Sequence, residues 1–382
     1  MSIFAKRTNN WTHANNALED ERLKGLYQGE VLDLTQSNPT QAGFVYPAHL
    51  LAALSNPHAL VYDPQSFGLE ETRQAVVDYY YRRGYMINRS QVVLTASSSE
   101  SYGHLLRLLV NPHEKVLIPS PSYPLFPYLL DIHDAAYDTY QILSAENWAI
   151  DREDFLARLD ASVKAVMLVH PNNPTGSYIN EADRAWLIQL AKTHGFALIV
   201  DEVFMDYAFD KAEPSFINET ACLTFVLGGL SKTLCLPQMK LGWLITSGPK
   251  ELVDGALARL EIMADTYLSV NTPVQLAACQ WLPGVDAIQD LVRQRLKHNW
   301  AMLEANTPKG LTIQRPQAGW YVLVHLPDHL DDEQFCLALM AKGVIVYPGY
   351  YFDLPSSNDV VISLLTESSI LKQGWDKLCT MI

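Results

Sequence analysis

Five short apolar runs between residues 92 and 227 constrain the fold of this chain more than any other feature of its sequence. They alternate with longer segments, such as Ser101–Leu109 and Glu181–His194, whose spacing is typical of amphipathic helices. Continuous apolar strands separated by helices predict a mostly parallel sheet that helices cover on both faces. The five runs are Val92–Leu94, Val116–Ile118, Ala165–Val169, Ala197–Val200 and Phe225–Leu227.

Polar residues follow each of these runs. The carboxyl ends of the strands form the ligand crevice of an open α/β sheet, so we expect the five polar segments to build one site. The segments are Thr95–Glu100, Pro119–Pro124, His170–Gly176, Asp201–Glu202 and Gly228–Lys232.

The chain is too long for one small core, and its 382 residues indicate two domains. We expect a large domain over residues 41–284 and a smaller α+β domain over residues 285–382, with a long helix at Val285–Ala305 leading into the second. Residues 1–40 are expected to form an arm that joins the small domain and carries a short helix at Ala17–Tyr27. The other expected elements are the helices Leu69–Arg82 and Asp332–Lys342 and the strands Gly319–Leu326, Gly343–Tyr347 and Val360–Leu364.

Composition excludes several classes of function. The formal net charge of −14 argues against a surface for nucleic acid or anionic membranes. Five cysteines without a Cys-x-x-Cys pair fit a reduced, cytoplasmic setting and provide neither a metal site nor a disulfide framework. No apolar run approaches the roughly 20 residues of a membrane span, and the polar segment Met1–Thr12 does not resemble a secretory signal. We therefore expect a soluble cytoplasmic protein.

Lys232 follows Gly228, Gly229 and Ser231 at the end of the last apolar run. Desolvation, together with the charge of Lys240, would favour a neutral amine and make Lys232 a candidate for covalent bonding to a carbonyl. On this stretch alone, Lys232 can equally be one of many solvated surface lysines. The residues at the other strand ends are needed to distinguish these two interpretations.

A phosphate-bearing aldehyde cofactor would find partners at the first strand end. Ser97, Ser98 and Ser99 lie at a strand-to-helix junction, and helix N-termini bind phosphate. The alternative is an ordinary N-cap, for which one serine suffices. Ser231 and Lys240 would add a hydroxyl and a positive charge.

Three further residues have both a functional and a structural interpretation. Asp201 ends an apolar strand, where a pyridinium nitrogen would keep its carboxylate ionised and tune the ring as an electron sink; an ion pair or a helix cap is the alternative. Tyr123 can present its ring face to a flat heterocycle or pack in the core. Asn173 can bond a ring hydroxyl or a substrate carboxylate, or it can be a turn residue.

In combination these residues resemble the class I/II aminotransferases of the fold type I pyridoxal-phosphate enzymes, from about Leu32 to Leu364. The most specific segments occur in the family's order and at about its spacing. They are His170–Gly176, Asp201–Phe204 and Ser231–Thr233, supported by Tyr62 with Gly68, by Pro121–Pro124 and by Val346–Gly349. The resemblance implies an α/β fold: a large domain with a mostly parallel, seven-stranded sheet between helices, and a smaller α+β domain.

The resemblance also implies pyridoxal 5′-phosphate as the cofactor and a role for each candidate residue. Lys232 would form the Schiff base, Asp201 would pair with the ring nitrogen, and Asn173 would face the ring hydroxyl. Tyr62 would reach the phosphate of a neighbouring subunit, which implies a homodimer. Asn38 and Asn173 are the candidate substrate-binding residues. The other cofactor contacts would come from Tyr123 at the ring and from Ser97, Ser98, Ser99, Ser231 and Lys240 at the phosphate.

The sequence departs from the family pattern at three places. Phe204 stands where a tyrosine usually bonds the ring hydroxyl, and Lys240 stands where an arginine usually forks the phosphate. The last strand, Val360–Leu364, contains no arginine where the family usually binds the substrate α-carboxylate. Another cation such as Arg315 then replaces it, or the substrate carries its negative charge elsewhere.

We predict a pyridoxal-phosphate-dependent aminotransferase that moves an amino group between an amino donor and a keto acceptor through Lys232. A carbon–sulfur β-lyase or a decarboxylase remains an alternative, because the same lysine serves all of these reactions. A sensor that binds the cofactor without turnover is the alternative from another class.

Overall fold

The structure is a computed structural model that describes residues 3–9, 11, 18, 20 and 31–382. Apart from Leu18 and Asp20, the helix expected at Ala17–Tyr27 falls outside these residues. Among the helices of the described part, not one combines the length and the apolar character needed to cross a membrane.

Strands and helices alternate through most of the described chain. The strands are β1 (Leu32–Asp33), β2 (Val92–Thr95), β3 (Lys115–Ser120), β4 (Ala136–Leu143), β5 (Ala149–Ile150), β6 (Val163–Val169), β7 (Ala197–Asp201), β8 (Thr224–Gly229), β9 (Gly242–Ser247), β10 (Thr312–Gln314), β11 (Tyr321–His325), β12 (Val344–Ile345), β13 (Tyr347–Pro348) and β14 (Asp359–Ser363). The helices are α1 (His49–Ala52), α2 (Glu70–Arg82), α3 (Ser98–Leu109), α4 (Phe126–Ile132), α5 (Arg152–Arg158), α6 (Glu181–His194), α7 (Leu230–Thr233), α8 (Lys250–Tyr267), α9 (Thr272–Trp281), α10 (Val285–Ala305), α11 (Asp332–Met340) and α12 (Ser368–Cys379). Short 3₁₀ turns lie at Lys6–Thr8, Ala53–Ser55, Pro57–Leu60, Arg89–Gln91, Ser144–Glu146, Pro237–Met239, Leu282–Gly284 and Gly349–Phe352.

The larger sheet contains all five strands that the apolar runs predict. Over residues 31–382 it has eight strands in the order β2-β9-β8-β7-β6-β3-β4-β5. The central strands β8, β7, β6, β3 and β4 are parallel. The eighth strand is the two-residue β5, which pairs antiparallel with β4 at one edge. The mostly parallel sheet between helices is therefore confirmed, with one short strand more than expected.

Local sequence explains where the helices of this sheet begin and end. Helix α6 begins after Asn180, whose side chain accepts a hydrogen bond from the backbone of Asp183. It ends at Gly195, which has a positive φ of 76° that glycine adopts without a steric penalty. The bounds of α6 and of α10 coincide with those expected from the sequence.

Strands β2, β3, β6, β7 and β8 end at the same edge of the larger sheet. Strands β2 and β8 both run antiparallel to β9, so β2 points the same way as the parallel strands. Strand β9 was not expected, although Gly242 and Trp243 mark its beginning. This arrangement brings the polar segments that follow the five strands to one side of the molecule, as predicted.

The smaller sheet is antiparallel and has the order β10-β11-β14-β13 within the described residues. Its first part follows the long helix α10. The segment expected to be one strand at Gly343–Tyr347 is divided at Val346: β12 pairs with β1 of the arm, whereas β13 pairs with β14. Leu32 and Asp33 of the arm lie parallel to Val344 and Ile345.

A separate hydrophobic core lies around the smaller sheet, beside cores on the two faces of the larger one. The core of the smaller sheet also includes Phe204, Tyr207 and Cys235, which come from the chain around the larger sheet. The two parts of the molecule therefore meet at the loops that follow β7 and α7. The domain limits at residues 40/41 and 284/285 stay predictions.

Candidate active site

Asp201 is the last residue of β7 and lies between Val169 of β6 and Leu227 of β8 in the strand register. Its side chain is buried, with the phenol of Tyr102 donating to Oδ2 at 3.1 Å and the backbone N–H of Val203 donating to Oδ1 at 3.0 Å. Burial raises the pKa of the Asp201 carboxyl, and the two hydrogen bonds and the charge of Lys232 oppose that rise. A positive partner at this carboxylate would therefore stabilise its ionised form.

Lys232 is the third residue of the short helix α7, directly after β8. Its Nζ lies 4.7 Å from the ring centroid of Trp320 and 5.3 Å from that of Phe204. Burial lowers the pKa of the Lys232 amine, while the charges of Cys235 and Asp201 raise it. The amine is thus shifted toward its neutral, nucleophilic form.

The lowered pKa of Lys232 does not come from Lys240, contrary to our expectation. The charges that act on Lys232 are those of Cys235 and Asp201, and burial is the largest cause of the shift. Lys240 is exposed and has a positive φ of 52° at the end of the turn Pro237–Met239. A solvated ammonium at this position contributes little to a buried amine, because water screens its charge.

The three serines lie where β2 gives way to α3. Ser97 is the N-cap of α3, and its Oγ accepts a hydrogen bond from the backbone N–H of Glu100 at 3.2 Å. Ser98 is partly buried and Ser99 is exposed in the first turn. A Cβ at Gly242 would come within 3.0 Å of the carbonyl carbon of Ser97, so glycine permits β9 to pass this turn. The N-terminus of α3 therefore presents N–H groups and hydroxyls at the sheet edge that Asp201 also occupies.

Tyr123 and Asn173 lie in the loops after β3 and β6. The pKa of the Tyr123 phenol is raised by burial first and by the charge of Asp201 second, which places the phenol near that carboxyl. Asn173 is 9% exposed, and its Oδ1 finds no hydrogen-bond donor in the described part of the chain. A buried amide oxygen without a donor is costly, so this atom suits a ligand that donates a hydrogen bond.

The structure gives the surroundings of three other predicted residues without a ligand contact to test. Tyr62 is 80% exposed. The Oδ1 of Asn38 accepts hydrogen bonds from the backbone and hydroxyl of Thr40, so the amide oxygen stabilises its own turn. Ser231 is partly buried beside Lys232. The binding roles of these residues remain predictions.

Tyr102, Trp320 and Tyr207 were not among the residues expected at the site. Tyr102 bonds Asp201 from α3, and the indole of Trp320 faces Lys232 from the segment before β11. The Tyr207 phenol donates to the backbone carbonyl of Lys232 at 2.6 Å. The sequence does not predict these contacts, because aromatic residues with this spacing usually pack in a core. The one indication is that Tyr207 follows Phe204 by three residues.

The candidate replacement for the carboxylate-binding arginine, Arg315, lies at the surface, and its role stays a prediction. It forms an ion pair with Asp210 at 3.0 Å, and both side chains are more than half exposed. On the last strand, Val361 is buried and lies between its register partners Leu323 of β11 and Tyr347 of β13. This part of the smaller sheet provides apolar and phenolic groups.

The residues brought together fit a phosphorylated pyridine aldehyde. A buried amine shifted toward its neutral form suits the aldehyde, and a buried carboxyl suits a ring nitrogen that carries a proton. The unpartnered oxygen of Asn173 suits a ring hydroxyl, and the helix N-terminus at Ser97 suits the phosphate.

Comparison with known proteins identifies the family of this chain. The family model for class I and II aminotransferases matches residues 26–372. The glutamate–pyruvate aminotransferase AlaA of Escherichia coli K12 is 26% identical over 340 residues, which are 85% of this chain and 84% of that protein. The alanine aminotransferase of Mycobacterium tuberculosis H37Rv is 27% identical over 364 residues, with coverage of 91% and 84%.

Solved structures show the same fold. The alanine aminotransferase of Pyrococcus furiosus superimposes with a TM-score of 0.86 at 22% identity and covers 99% of each chain. A single mutant of the aspartate aminotransferase of Thermus thermophilus superimposes with a TM-score of 0.87 at 22% identity and covers 100% of each chain. These likenesses confirm the expected fold type I architecture.

Proposed function

The chain belongs to the class I and II aminotransferase family, and on that premise we propose that Lys232 is the lysine that binds its pyridoxal phosphate. The protein is a pyridoxal-phosphate-dependent transaminase that moves an amino group between a donor and a keto acceptor. The observation that carries the assignment of Lys232 is its buried amine beside the buried carboxyl of Asp201, at the ends of neighbouring strands.

When bound, pyridoxal phosphate supplies an aldehyde that takes up the amino group and a ring that withdraws electrons from the substrate carbon. Lys232 has two roles in this proposal: its amine holds the aldehyde covalently, and at other times it moves protons at the substrate Cα. The lowered pKa of the amine supports both roles, because only the neutral amine attacks a carbonyl or accepts a proton.

Asp201 would keep the ring nitrogen protonated, since its buried carboxylate is stabilised by a positive partner. The hydrogen bonds from Tyr102 and Val203 hold the carboxyl in place for this pairing. Asn173 would accept from the ring hydroxyl through its unpartnered oxygen. Phe204 contributes a ring near the Lys232 amine where a tyrosine would offer a hydroxyl.

The remaining contacts would hold and cover the cofactor. Tyr123 would stack on the ring, and the phosphate would lie against the start of α3. The phosphate contacts would come from Ser97, Ser98, Ser99, Ser231 and Lys240, with Tyr62 from a neighbouring subunit.

For the substrates, we propose an amino-acid donor and a keto-acid acceptor of the kind that the relatives' names indicate, with alanine, glutamate and pyruvate as the first to test. Val361 and its neighbours offer no charge for a carboxylate, so backbone and hydroxyl donors such as those around Asn38 would have to bind it. A donor screen that follows the absorbance of the bound cofactor tests this. Activity restricted to amines without a carboxylate would contradict it.

We also propose that the protein is a homodimer with Tyr62 at the subunit interface. Apolar residues around Tyr62 are unusually exposed: Leu60 is 90% exposed, Val61 63% and Val45 85%. A nearby apolar cavity of about 430 Å³ includes Val45 and Trp281. Contiguous exposed apolar surface is typical of an interface. Sedimentation that gives the mass of a single chain at micromolar concentration would contradict the dimer.

A cytoplasmic location is proposed as well. The five cysteines are all free thiols, which supports a reducing compartment. Cell fractionation tests the location, and recovery of the protein in an oxidising compartment would overturn it.

Replacement of Lys232 tests the central proposal. The Lys232→Ala variant should lose the absorbance of covalently bound cofactor and roughly 10⁴-fold of the transamination rate, because both roles of the amine disappear. Lys250→Ala is the control, since that lysine is exposed and pairs with Asp254 on the surface. Covalently bound cofactor in the Lys232→Ala protein would refute the assignment.

A further inference from the structure

The backbone that carries Lys232 is held by side chains from distant parts of the chain. Helix α7 has only four residues, and the carbonyl of Lys232 at its end accepts one backbone hydrogen bond, from the N–H of Cys235 at 3.1 Å. Side chains supply further donors to this turn. The Tyr207 phenol donates to the carbonyl of Lys232 at 2.6 Å, and Gln289 Nε2 donates to the carbonyl of Thr233 at 2.9 Å. The Tyr46 phenol donates to the carbonyl of Cys235 at 2.7 Å.

Arg83 connects two of these donors. Its Nη2 donates to Gln289 Oε1 at 2.8 Å, and its Nε donates to Asp206 Oδ1 at 3.0 Å. Asp206 directly precedes Tyr207 in the chain. Asp206 is 6% exposed and Gln289 is fully buried, so water does not compete strongly for these bonds. The result is a closed ring of interactions that runs from Arg83 through Gln289 to the Lys232 turn and back through Tyr207.

Tyr207 also reaches the side chain of Lys232. Its ring makes an edge contact with the indole of Trp320, with ring centroids 5.2 Å apart. The same indole lies 4.7 Å from Lys232 Nζ. Tyr207 therefore acts on both ends of the lysine, on the carbonyl directly and on the amine through Trp320.

We infer that Tyr207 and Gln289 are positioning residues for Lys232, and that Arg83 holds them as a pair. The inference rests on the proposed role of Lys232. A lysine on a four-residue helix has many rotamers, and its amine gains solvation when it turns toward water. By fixing two successive carbonyls, the pair keeps the amine in the buried position beside Asp201.

The test uses cofactor-free protein, so that it reports on the lysine alone. The rate at which trinitrobenzenesulfonate labels Lys232 is measured against pH, with the Lys232 peptide quantified by mass spectrometry. Gln289→Met removes the donor to Thr233 and keeps the side-chain length. We expect the midpoint of labelling to rise by at least about half a pH unit, because a looser turn gives the amine more water.

Two further variants make the result specific. Tyr207→Phe keeps the ring against Trp320 and removes the hydroxyl alone, so it tests the same inference if Gln289→Met folds poorly. Asn299→Leu is the matched control: Asn299 is a fully buried amide on the same helix, and it donates to the carbonyls of Leu364 and Thr366 instead. It should leave the labelling midpoint of Lys232 unchanged.

Three outcomes decide the inference. A raised midpoint in Gln289→Met or in Tyr207→Phe, with an unchanged midpoint in the control, supports it. Unchanged midpoints in both test variants overturn it, and so does an equal rise in the control, which would indicate general loosening. In cofactor-loaded protein, the test variants should lose about tenfold in kcat with less than a twofold change in KM, as expected for a misplaced group.

The labelling result is independent of the proposed function. If Lys232→Ala still bound the cofactor covalently, the assignment of the lysine would fail while the labelling midpoints would still report how its turn is held.

Discussion

The two sheets of this molecule contribute different chemistry to the site between them. At the carboxyl edge of the larger sheet, loops bring together Asp201, Asn173 and Lys232, which are groups that ionise or form hydrogen bonds. The smaller sheet presents Trp320 and the buried strand that contains Val361. If Lys232 and Asp201 carry the reaction as proposed, we expect changes in the larger sheet to affect the chemistry and changes in the smaller sheet to affect which molecules are accepted.

Strand direction explains this difference. Parallel strands end at the same edge, so the loops after them converge and can offer several polar groups to one ligand. An antiparallel sheet offers a face, on which side chains alternate between the core and the ligand. Tyr321 and Val361 stand on adjacent paired strands of such a sheet. The residue of this region that lies beside the Lys232 amine is Trp320, directly before β11.

Among the variants that compare the two sheets, the largest effect should come from a change in the larger sheet. Asp201→Asn keeps an acceptor for Val203 but removes the charge, and we expect a loss of roughly 10²- to 10³-fold in kcat. Steady-state kinetics with the best donor of the screen measure this, and a denaturant titration checks that the variant is folded. A loss of less than tenfold in kcat would contradict the expectation that the larger sheet carries the chemistry.

A change in the smaller sheet should alter selectivity and leave the chemistry intact. Trp320→Phe puts a smaller aromatic side chain beside Lys232 and removes an indole N–H that has no partner among the described residues. We expect the ratio of kcat/KM values for a small and a large donor to change by about tenfold, with cofactor absorbance retained.

The control for that variant is Trp375→Phe. Trp375 is another fully buried indole around the smaller sheet, and its Nε1 donates to the carbonyl of Asn306. Its replacement should lower the stability of the protein and leave the ratio of kcat/KM values for the small and the large donor unchanged. If both tryptophan variants changed the ratio of kcat/KM values equally, the change would come from altered core packing and not from the loss of the indole beside Lys232.

The smallest effect concerns Glu202, a buried carboxyl group that directly follows Asp201. Burial raises the pKa of its carboxyl from about 4.5 to about 7, although Ser215 and the backbone of Phe216 donate hydrogen bonds to it. Between these pH values the folded protein holds a proton that the unfolded chain has lost. The free energy of unfolding therefore falls as pH rises, by up to about 1.4 kcal/mol for each pH unit.

Glu202→Gln should remove this contribution while it keeps both hydrogen-bonding partners. Denaturant titrations of cofactor-free protein at pH 5 and pH 7 should show a loss that is larger in the unsubstituted protein by roughly 2 kcal/mol. Equal losses in the two proteins would mean that Glu202 ionises normally.

The sequence was most informative where the chain's own periodicity sets the structure. The five apolar runs, the helix at Glu181–His194 and the convergence of Asp201 and Lys232 follow from apolar patterns and from the topology of parallel sheets. Strand β4 was missed because only two of its eight residues are buried and its apolar run is interrupted. The family resemblance supplied the cofactor.

Contacts between distant segments were beyond sequence reasoning. Trp320 reaches Lys232 because the smaller sheet folds back onto the larger one, and Gln289 reaches Thr233 because α10 passes behind the turn. The mistaken role of Lys240 has the same origin. Nearness in the chain suggested an electrostatic effect on Lys232, but the backbone directs Lys240 into water.

The pairing of β1 with β12 has a consequence for biosynthesis. Leu32 is synthesised before Val344, its partner, which follows hundreds of residues later in the chain. Until then the early segment has an unsatisfied hydrogen-bonding edge, while the parallel strands already have their neighbours. The two-stranded β1–β12 pair therefore forms late, and a nascent chain that stalls before Val344 would expose this edge to chaperones.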